Sequence, residues 1–199
     1  MNHIQNLIER YPALAVCEQD ITAAVDLMID TYRRGGKVLL CGNGGSAADC
    51  DHIAGELLKG FLSLRPVSDT TIPSPLRENL QGSLPAVSLP SLTAALTASL
   101  NDLDPSYAYA QLLYGLCKEG DLLIAISTSG NAQNVGHAAT LARALGGKVL
   151  ALTGEGGGKL AGMADVTVRV PAKQTYQIQE FHLPVYHALC AAVESALFD

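Results

Sequence analysis

Two short stretches carry the residue types that grip an anion. Gly42-Asn43-Gly44-Gly45-Ser46 follows an apolar run and precedes a helical pattern at Ala47–Leu58. Ser127-Thr128-Ser129-Gly130-Asn131 follows a second apolar run and precedes another helical pattern. Glycines let the backbone approach an anion, and a helix N-terminus behind the loop presents free N–H groups to it. Ser46 adds a helix cap and a hydroxyl. The first loop is not a dinucleotide fingerprint, because GNGGSA lacks the third glycine and no acidic residue ends the second strand. Nor is it a triphosphate loop, because no Lys-Ser or Lys-Thr pair follows. Taken singly, each loop reads equally well as a Gly-rich or Ser-rich connector. Two of them on neighbouring strands form a cradle, and without a lysine it suits a phosphomonoester held by dipoles and hydroxyls.

A second group of residues has the types that move protons or hold a metal. His52 and Glu56 stand four apart on the helix after the first loop and share one face. Such a pair supplies a base or two metal ligands, or is a solvated surface contact. The closing helical stretch offers Gln179, Glu180, His182 and His187. Gln179 and His187 lie on one stripe but are separated by roughly 12 Å of helix rise. Pro184 between them makes a local distortion the expected way for both to reach one centre. The alternative is that His182 or His187 only packs and hydrogen-bonds in an interface.

These residues need a scaffold that points strand ends and helix starts at one place. Lys37–Gly42, Leu84–Leu89, Asp121–Ser127, Gly147–Thr153 and Asp165–Pro171 are short apolar runs bounded by turn residues, and read as buried parallel strands. Helical spacing covers Glu18–Arg34, Asn131–Leu145 and Gln177–Leu197, the last interrupted or begun near Pro184. Alternation of strand and helix gives an α/β chain, a three-layer αβα sandwich around a five-stranded parallel sheet with an extra N-terminal helix. That helix precedes the first strand, so its face carrying Ile21, Val25, Met28 and Tyr32 is expected to pack against its copy in another subunit. Ser63–Gln81, with three prolines, reads as a long loop containing a short helix. Length favours one domain over 1–199: a helical segment to about 34, a sheet core over about 36–171 and a closing helix over about 177–198.

Composition narrows the function classes. The chain has 199 residues, 48% of them apolar, which excludes a disordered chain. Thirteen Lys and Arg against 19 acids give a net charge of −6, with no basic run beyond Arg33–Arg34, so no nucleic-acid partner is expected. No apolar stretch is long enough for a membrane span, and the first residues lack a signal-peptide pattern. Five scattered cysteines without CxxC spacing read as reduced core residues of a cytoplasmic protein.

In these motifs the chain resembles the sugar isomerase (SIS) domain family, and within it the sedoheptulose 7-phosphate (phosphoheptose) isomerases. The resemblance rests on GKVLLCGNGGSAADCDHIAGEL, Ser99-Leu100-Asn101-Asp102, GDLLIAISTSGNAQNV, KVLALTGEGGGKLAGMADVTVRVP and IQEFHLPVYHAL, in order from residue 36 to 190. It implies a flavodoxin-like five-stranded sheet, a homotetramer with sites at subunit interfaces, and ketose–aldose isomerisation of a phosphosugar. It implies substrate contacts at Asn43, Gly44, Gly45, Ser46, Asn101, Asp102, Ser127, Thr128, Ser129 and Gln179. It also implies one zinc per subunit on His52, Glu56, Gln179 and His187, with Glu56 and His187 moving the protons. The chain departs from the family pattern at Ala132, where a serine is usual, at Gly60, where a basic residue is common, and at Tyr176, where an acid is usual. A non-catalytic phosphosugar- or protein-binding SIS protein of the replication-initiator-associating type, and an isomerase for another ketose phosphate, are the rival readings.

Overall fold

Apolar side chains on both sides of each run require cover on two faces, and the sheet receives it. In the computed structural model, which describes residues 2–198, β1 (Val38–Gly42), β2 (Ala86–Ser88), β3 (Leu122–Ile126), β4 (Lys148–Gly154) and β5 (Val166–Val170) pair in parallel in the order β2-β1-β3-β4-β5. Alternation along the strands divides the core. Val38, Leu40, Leu122, Ile124, Leu150 and Leu152 point to one face, where α1 (His3–Arg10), α2 (Glu18–Arg33), α3 (Gly45–Leu58) and α8 (Thr175–Phe198) cover them. Leu39, Cys41, Leu123, Ala125, Val149 and Ala151 point to the other, under α6 (Ala108–Leu116) and α7 (Gln133–Ala144), with Leu96 of α5 (Thr93–Asp102) packed at its margin. The expected three-layer sandwich is present, and all five cysteines are buried free thiols. Burial pushes Cys41 and Cys190 up to about 12, so neither is a nucleophile.

Three expectations are corrected. The α2 face bearing Ile21, Val25 and Met28 is buried within this chain, against β5 and α8, and is not left for a second subunit. The physical reason is that β5 is an edge strand whose Val168 and Val170 need cover, and α2 returns to supply it. Tyr32, at the end of the same face, reaches the Pro85 carbonyl instead. The closing helix, in turn, neither breaks nor starts at Pro184: α8 runs through it from Thr175 to Phe198. Proline removes one N–H from the ladder and leaves the Glu180 carbonyl without its intrahelical donor, yet the helix continues through it. The N-terminal segment is two helices, not one, because Pro12 opens a tight 3-10 turn over Pro12–Cys17 between them. The long loop contains its short helix, α4 (Ser74–Arg77), and is closed at its neck by the Pro66–Gln81 bridge and the Gly82 N–H to Arg65 carbonyl bond. α5 had no clear signal, since Ser99 is its one buried residue and its Ala/Thr-rich turns carry no apolar stripe.

His182 belongs to this scaffold. Its ring is fully buried, with Nε2 3.3 Å from the Thr153 carbonyl of β4 and Nδ1 without a partner among the described residues. Burial pushes its pKa from 6.5 down to about 4, against the weaker raising effect of that hydrogen bond. Between those values the unfolded chain binds a proton that the folded chain refuses, so stability falls as pH drops through that window, by up to roughly 3 kcal/mol. Replacing His182 with Gln should flatten the acid side of the stability curve, measured by denaturant unfolding at pH 7 and pH 5. An unchanged slope would show that His182 does not titrate in this way.

Candidate active site

Chain order around β1 places the opening. β1 leads to β2 on one side, and β3 lies on its other side, so the connections after β1 and β3 diverge at their carboxyl ends. Open α/β sheets bind ligands at such a point. Here the two anion-gripping loops face each other across a cleft of about 270 Å³, lined by Asn43, Gly44, Gly45 and Ser46 on one side and Ser127, Thr128 and Ser129 on the other. α3 starts at Gly45 and α7 at Gln133, so two helix N-termini stand behind the loops. The Asn43 and Asn134 amides exchange hydrogen bonds of 2.9 Å in both directions and tie the first loop to α7. Gln179 of α8 also lines the cleft, against Gly45, where any Cβ would collide with its amide. Glycine at 45 leaves room for that amide where it now stands.

The second group assembles beyond the cleft. On α3, His52 Nε2 lies 3.2 Å from Glu56 Oε1, and on α8 His187 Nε2 lies 3.3 Å from His52 Nε2. One donor atom from each of the three falls within 4.8 Å of the others, a metal-ligand grouping among the described residues. Two imidazoles and a carboxylate are a donor set that suits zinc better than magnesium or calcium. Burial, followed by the neighbouring His52, holds His187 below the ordinary imidazole range, so its ring is neutral at pH 7 and has a lone pair to offer. Three of the four expected ligands are therefore together, while Gln179 sits two turns back in the cradle. From Gly45 to His52 the helix rises about 10 Å, so α3 carries the Gly-rich loop at one end and His52 with Glu56 beyond it.

Side chains outside the motifs fix this arrangement. Arg65 is fully buried in the left-handed region (φ 44°), and its Nε donates to Glu194 Oε1 at 2.6 Å. Its terminal nitrogens donate to the Leu57 and Glu56 carbonyls, capping the end of α3. Glu194, on α8, also accepts the backbone N–H groups of Phe61, Leu62 and Ser63. Burial alone would raise its carboxyl, but those N–H bonds and the guanidinium outweigh burial and hold it below its usual range. The turn they enclose leaves no room at Gly60, where a Cβ would strike the Ser63 carbonyl; this accounts for glycine where a basic residue is common. Phe61 then lies on His187, ring centroids 5.6 Å apart. Asp51 accepts hydrogen bonds from Ser88 and Ser91 and anchors α3 to the end of β2. Tyr186 and Asp49 reach His52 from behind. Arg65 and Glu194 lie outside the stretches that carry the resemblance, and Asp49 and Tyr186 lie inside them with no role given to either; a buried charge of each sign in otherwise uncharged neighbourhoods was the available signal for the first two.

Other expected residues stand apart. Asn101 and Asp102 are exposed at the end of α5, bonded to one another at 2.7 Å, and do not line the cleft. Ala132 lines it without a hydroxyl, and Tyr176 is exposed. A larger hollow of about 450 Å³ lies across the start of α7, between Gln133, His137, Lys159 and Met163, with no carboxylate in its lining.

A model of the SIS domain matches residues 2–154. The phosphoheptose isomerase of Rhodospirillum rubrum is 39% identical over 97% of this chain and 94% of its own length. That of Mycobacterium tuberculosis is 43% identical over 87% and 80%. The chain belongs to the phosphoheptose isomerases of the SIS-domain family. Solved phosphoheptose isomerases agree over nearly the whole length: that of Neisseria gonorrhoeae has a TM-score of 0.78 at 35% identity, covering 97% of this chain and 95% of its own. That of Francisella tularensis has 0.79 at 32%, covering 96% and 94%. As a phosphoheptose isomerase the chain is an isomerase, and α8, beyond the matched domain, supplies Gln179 and His187.

The Arg65–Glu194 pair yields a stability expectation. Removing one partner strands the other charge in the core, so Glu194→Leu should lower unfolding free energy by about 3–5 kcal/mol. Arg65→Met together with Glu194→Leu should cost less than the single change. A single variant as stable as the parent would show that the pair does not secure α3 to α8.

Proposed function

We propose that the chain interconverts D-sedoheptulose 7-phosphate and D-glycero-D-manno-heptose 7-phosphate through an enediol, and that residues 1–199 act as one SIS domain. The observation that carries this reading is that one helix, α3, has its N-terminus in the cleft and His52 and Glu56 further along, facing His187. That spacing suits a long sugar phosphate gripped at one end and altered at the other. The phosphate would accept from the hydroxyls of Ser46, Ser127, Thr128 and Ser129 and from the N–H groups of the Asn43–Gly45 loop, which lose little by ordering because they are already set.

Moving a carbonyl from C2 to C1 requires a base for the C1 proton and an acid that serves C2. Glu56 takes the proton from C1. The electron pair passes into a C1–C2 double bond and charge collects on the C2 oxygen. His187, on the opposite helix, gives a proton to the C2 oxygen and completes the enediol. As the C1 carbonyl forms, the C1 hydroxyl proton passes to His187 and Glu56 delivers its proton to C2, so both groups end as they began and the reverse order runs the reaction back. His52 and Phe61 flank His187 and hold its ring plane. Gln179 donates from the cradle side. His52, Glu56 and His187 would hold one zinc ion, which when bound supplies polarisation of the substrate oxygens, while Gln179 stands apart in the cradle.

We also read the protein as a cytoplasmic homotetramer without nucleic-acid or membrane partners. Among the described residues no helix is long and apolar enough to cross a membrane. Leu100, Leu103, Tyr107 and Tyr114 are exposed on and between α5 and α6, an apolar surface that suits a subunit contact. Asn101 and Asp102 lie beside it, placed to reach a site across that contact.

Two measurements test the reading. Glu56→Gln keeps the shape and removes the base, so turnover of sedoheptulose 7-phosphate should fall about a hundredfold or more with phosphate-end binding retained. Near-normal turnover would remove Glu56 from the mechanism. Ser127→Ala with Ser129→Ala should raise KM far more than it lowers kcat, and an unchanged KM would move the phosphate elsewhere.

A further inference from the structure

Beyond His187 the site continues into a further hollow of about 170 Å³. Residue order along α8 gives its direction: Gln179 stands in the cradle, His187 beside His52 and Glu56, and Ala188 and Ala191 line this hollow. Its outer wall is one face of α1, where His3, Leu7 and Arg10 recur at helical spacing. Buried Leu7 docks that helix, and His3 Nε2 lies 3.0 Å from Ser195 Oγ of α8. Phe61 and the alanines make much of the lining apolar, and no carboxylate faces it. Arg10 brings the one permanent charge to this lining, and among the described residues it forms no ion pair. Its Cζ lies 5.3 Å from the centroid of the Tyr11 ring, which itself packs on the core. That attraction restrains an otherwise exposed side chain. The charge is felt at His187: burial is the main cause of that imidazole's low pKa and His52 the next, with Arg10 lowering it further against Glu56.

We propose that Arg10 is a further catalytic residue, whose guanidinium stabilises the negative charge of the enediolate as the C1 end of the ketose enters this hollow. The inference rests on the isomerase reading above. A sugar phosphate gripped in the cradle and reaching past His187 brings its C1 end to the mouth of the hollow. Once Glu56 has taken the C1 proton, charge sits on the C2 oxygen until His187 protonates it. The dipoles of the cradle are engaged with the phosphate, about 12 Å back along α8. A cation that keeps its proton, set among apolar walls, stabilises that charged state more than the uncharged ketose. Such an interaction is made in the transition state and not in the ground state, so it raises kcat. Arg10 moves no proton in this role, and proton transfer stays with Glu56 and His187.

Steady-state kinetics on sedoheptulose 7-phosphate, at matched metal content, test this with Arg10→Gln and Arg10→Lys. Arg10→Gln should lower kcat about tenfold to a hundredfold, with KM within about twofold of the parent. Arg10→Lys keeps the charge and should recover most of that loss. Arg10 also stands in the last turn of α1, where a cation meets the helix dipole. That role alone would lower the unfolding midpoint of Arg10→Gln and leave kcat at the parent's value. Parental kcat in Arg10→Gln, or a loss that Arg10→Lys does not recover, would overturn the inference and leave the isomerase reading in place. A parent inactive on sedoheptulose 7-phosphate and on other ketose phosphates would overturn the isomerase reading, and the role of Arg10 with it.

Discussion

A buried ion pair, Arg65 with Glu194, sets where the reacting groups stand. Buried charges are costly to desolvate, and they persist only when nearly every donor and acceptor is used. Here the guanidinium bonds to Glu194 and to two carbonyls at the end of α3, while the carboxylate takes three N–H groups of the following turn. These bonds can all be made only when the end of α3 and the second half of α8 are in one register. His52 and Glu56 lie just before that end, and His187 lies two turns before Glu194, so the pair fixes the spacing between the imidazoles. The left-handed Arg65 backbone and the glycine at 60 are the local costs of the same turn.

The two ends of the site are built from different materials. At the phosphate end the gripping groups are backbone N–H groups, hydroxyls and helix dipoles, held by a sheet whose strands are buried on both faces. Among the described residues no cation lines that cleft, so an anion there would be held by geometry more than by net charge. At the other end the groups are side chains from two helices, and their directions depend on what stands behind them. The sheet alone positions the first end, whereas the second needs α8 docked.

The strands and the cradle were legible because short sequence stretches determine them. Each apolar run is local, and Gly-Asn-Gly-Gly-Ser and Ser-Thr-Ser-Gly owe their conformation to their own residues. Resemblance to the SIS family pointed to Glu56 and His187 together, and the structure brings those two side chains near one another. Less legible was everything set by distant contact. The fate of the α2 face was misread because amphipathicity shows that a face is buried but not against what; β5 and α8 claim it. Pro184 looked like a break because its missing N–H is visible in sequence, while the packing of α8 against α2, α3 and the sheet is not. Arg65, Glu194, Tyr186 and Asp49 escaped notice because each acts through a partner more than a hundred residues away in the chain.

All of this converges on one claim: a single sugar phosphate spans from the cradle to the pair Glu56 and His187. The most direct measurement is a crystal structure of the Glu56→Gln protein with sedoheptulose 7-phosphate. The account predicts the phosphorus between the Gly44–Ser46 and Ser127–Ser129 loops, with C1 and C2 beside position 56 and His187. A phosphate seated instead in the hollow near Gln133, His137 and Lys159, with the reacting carbons remote from His187, would contradict it.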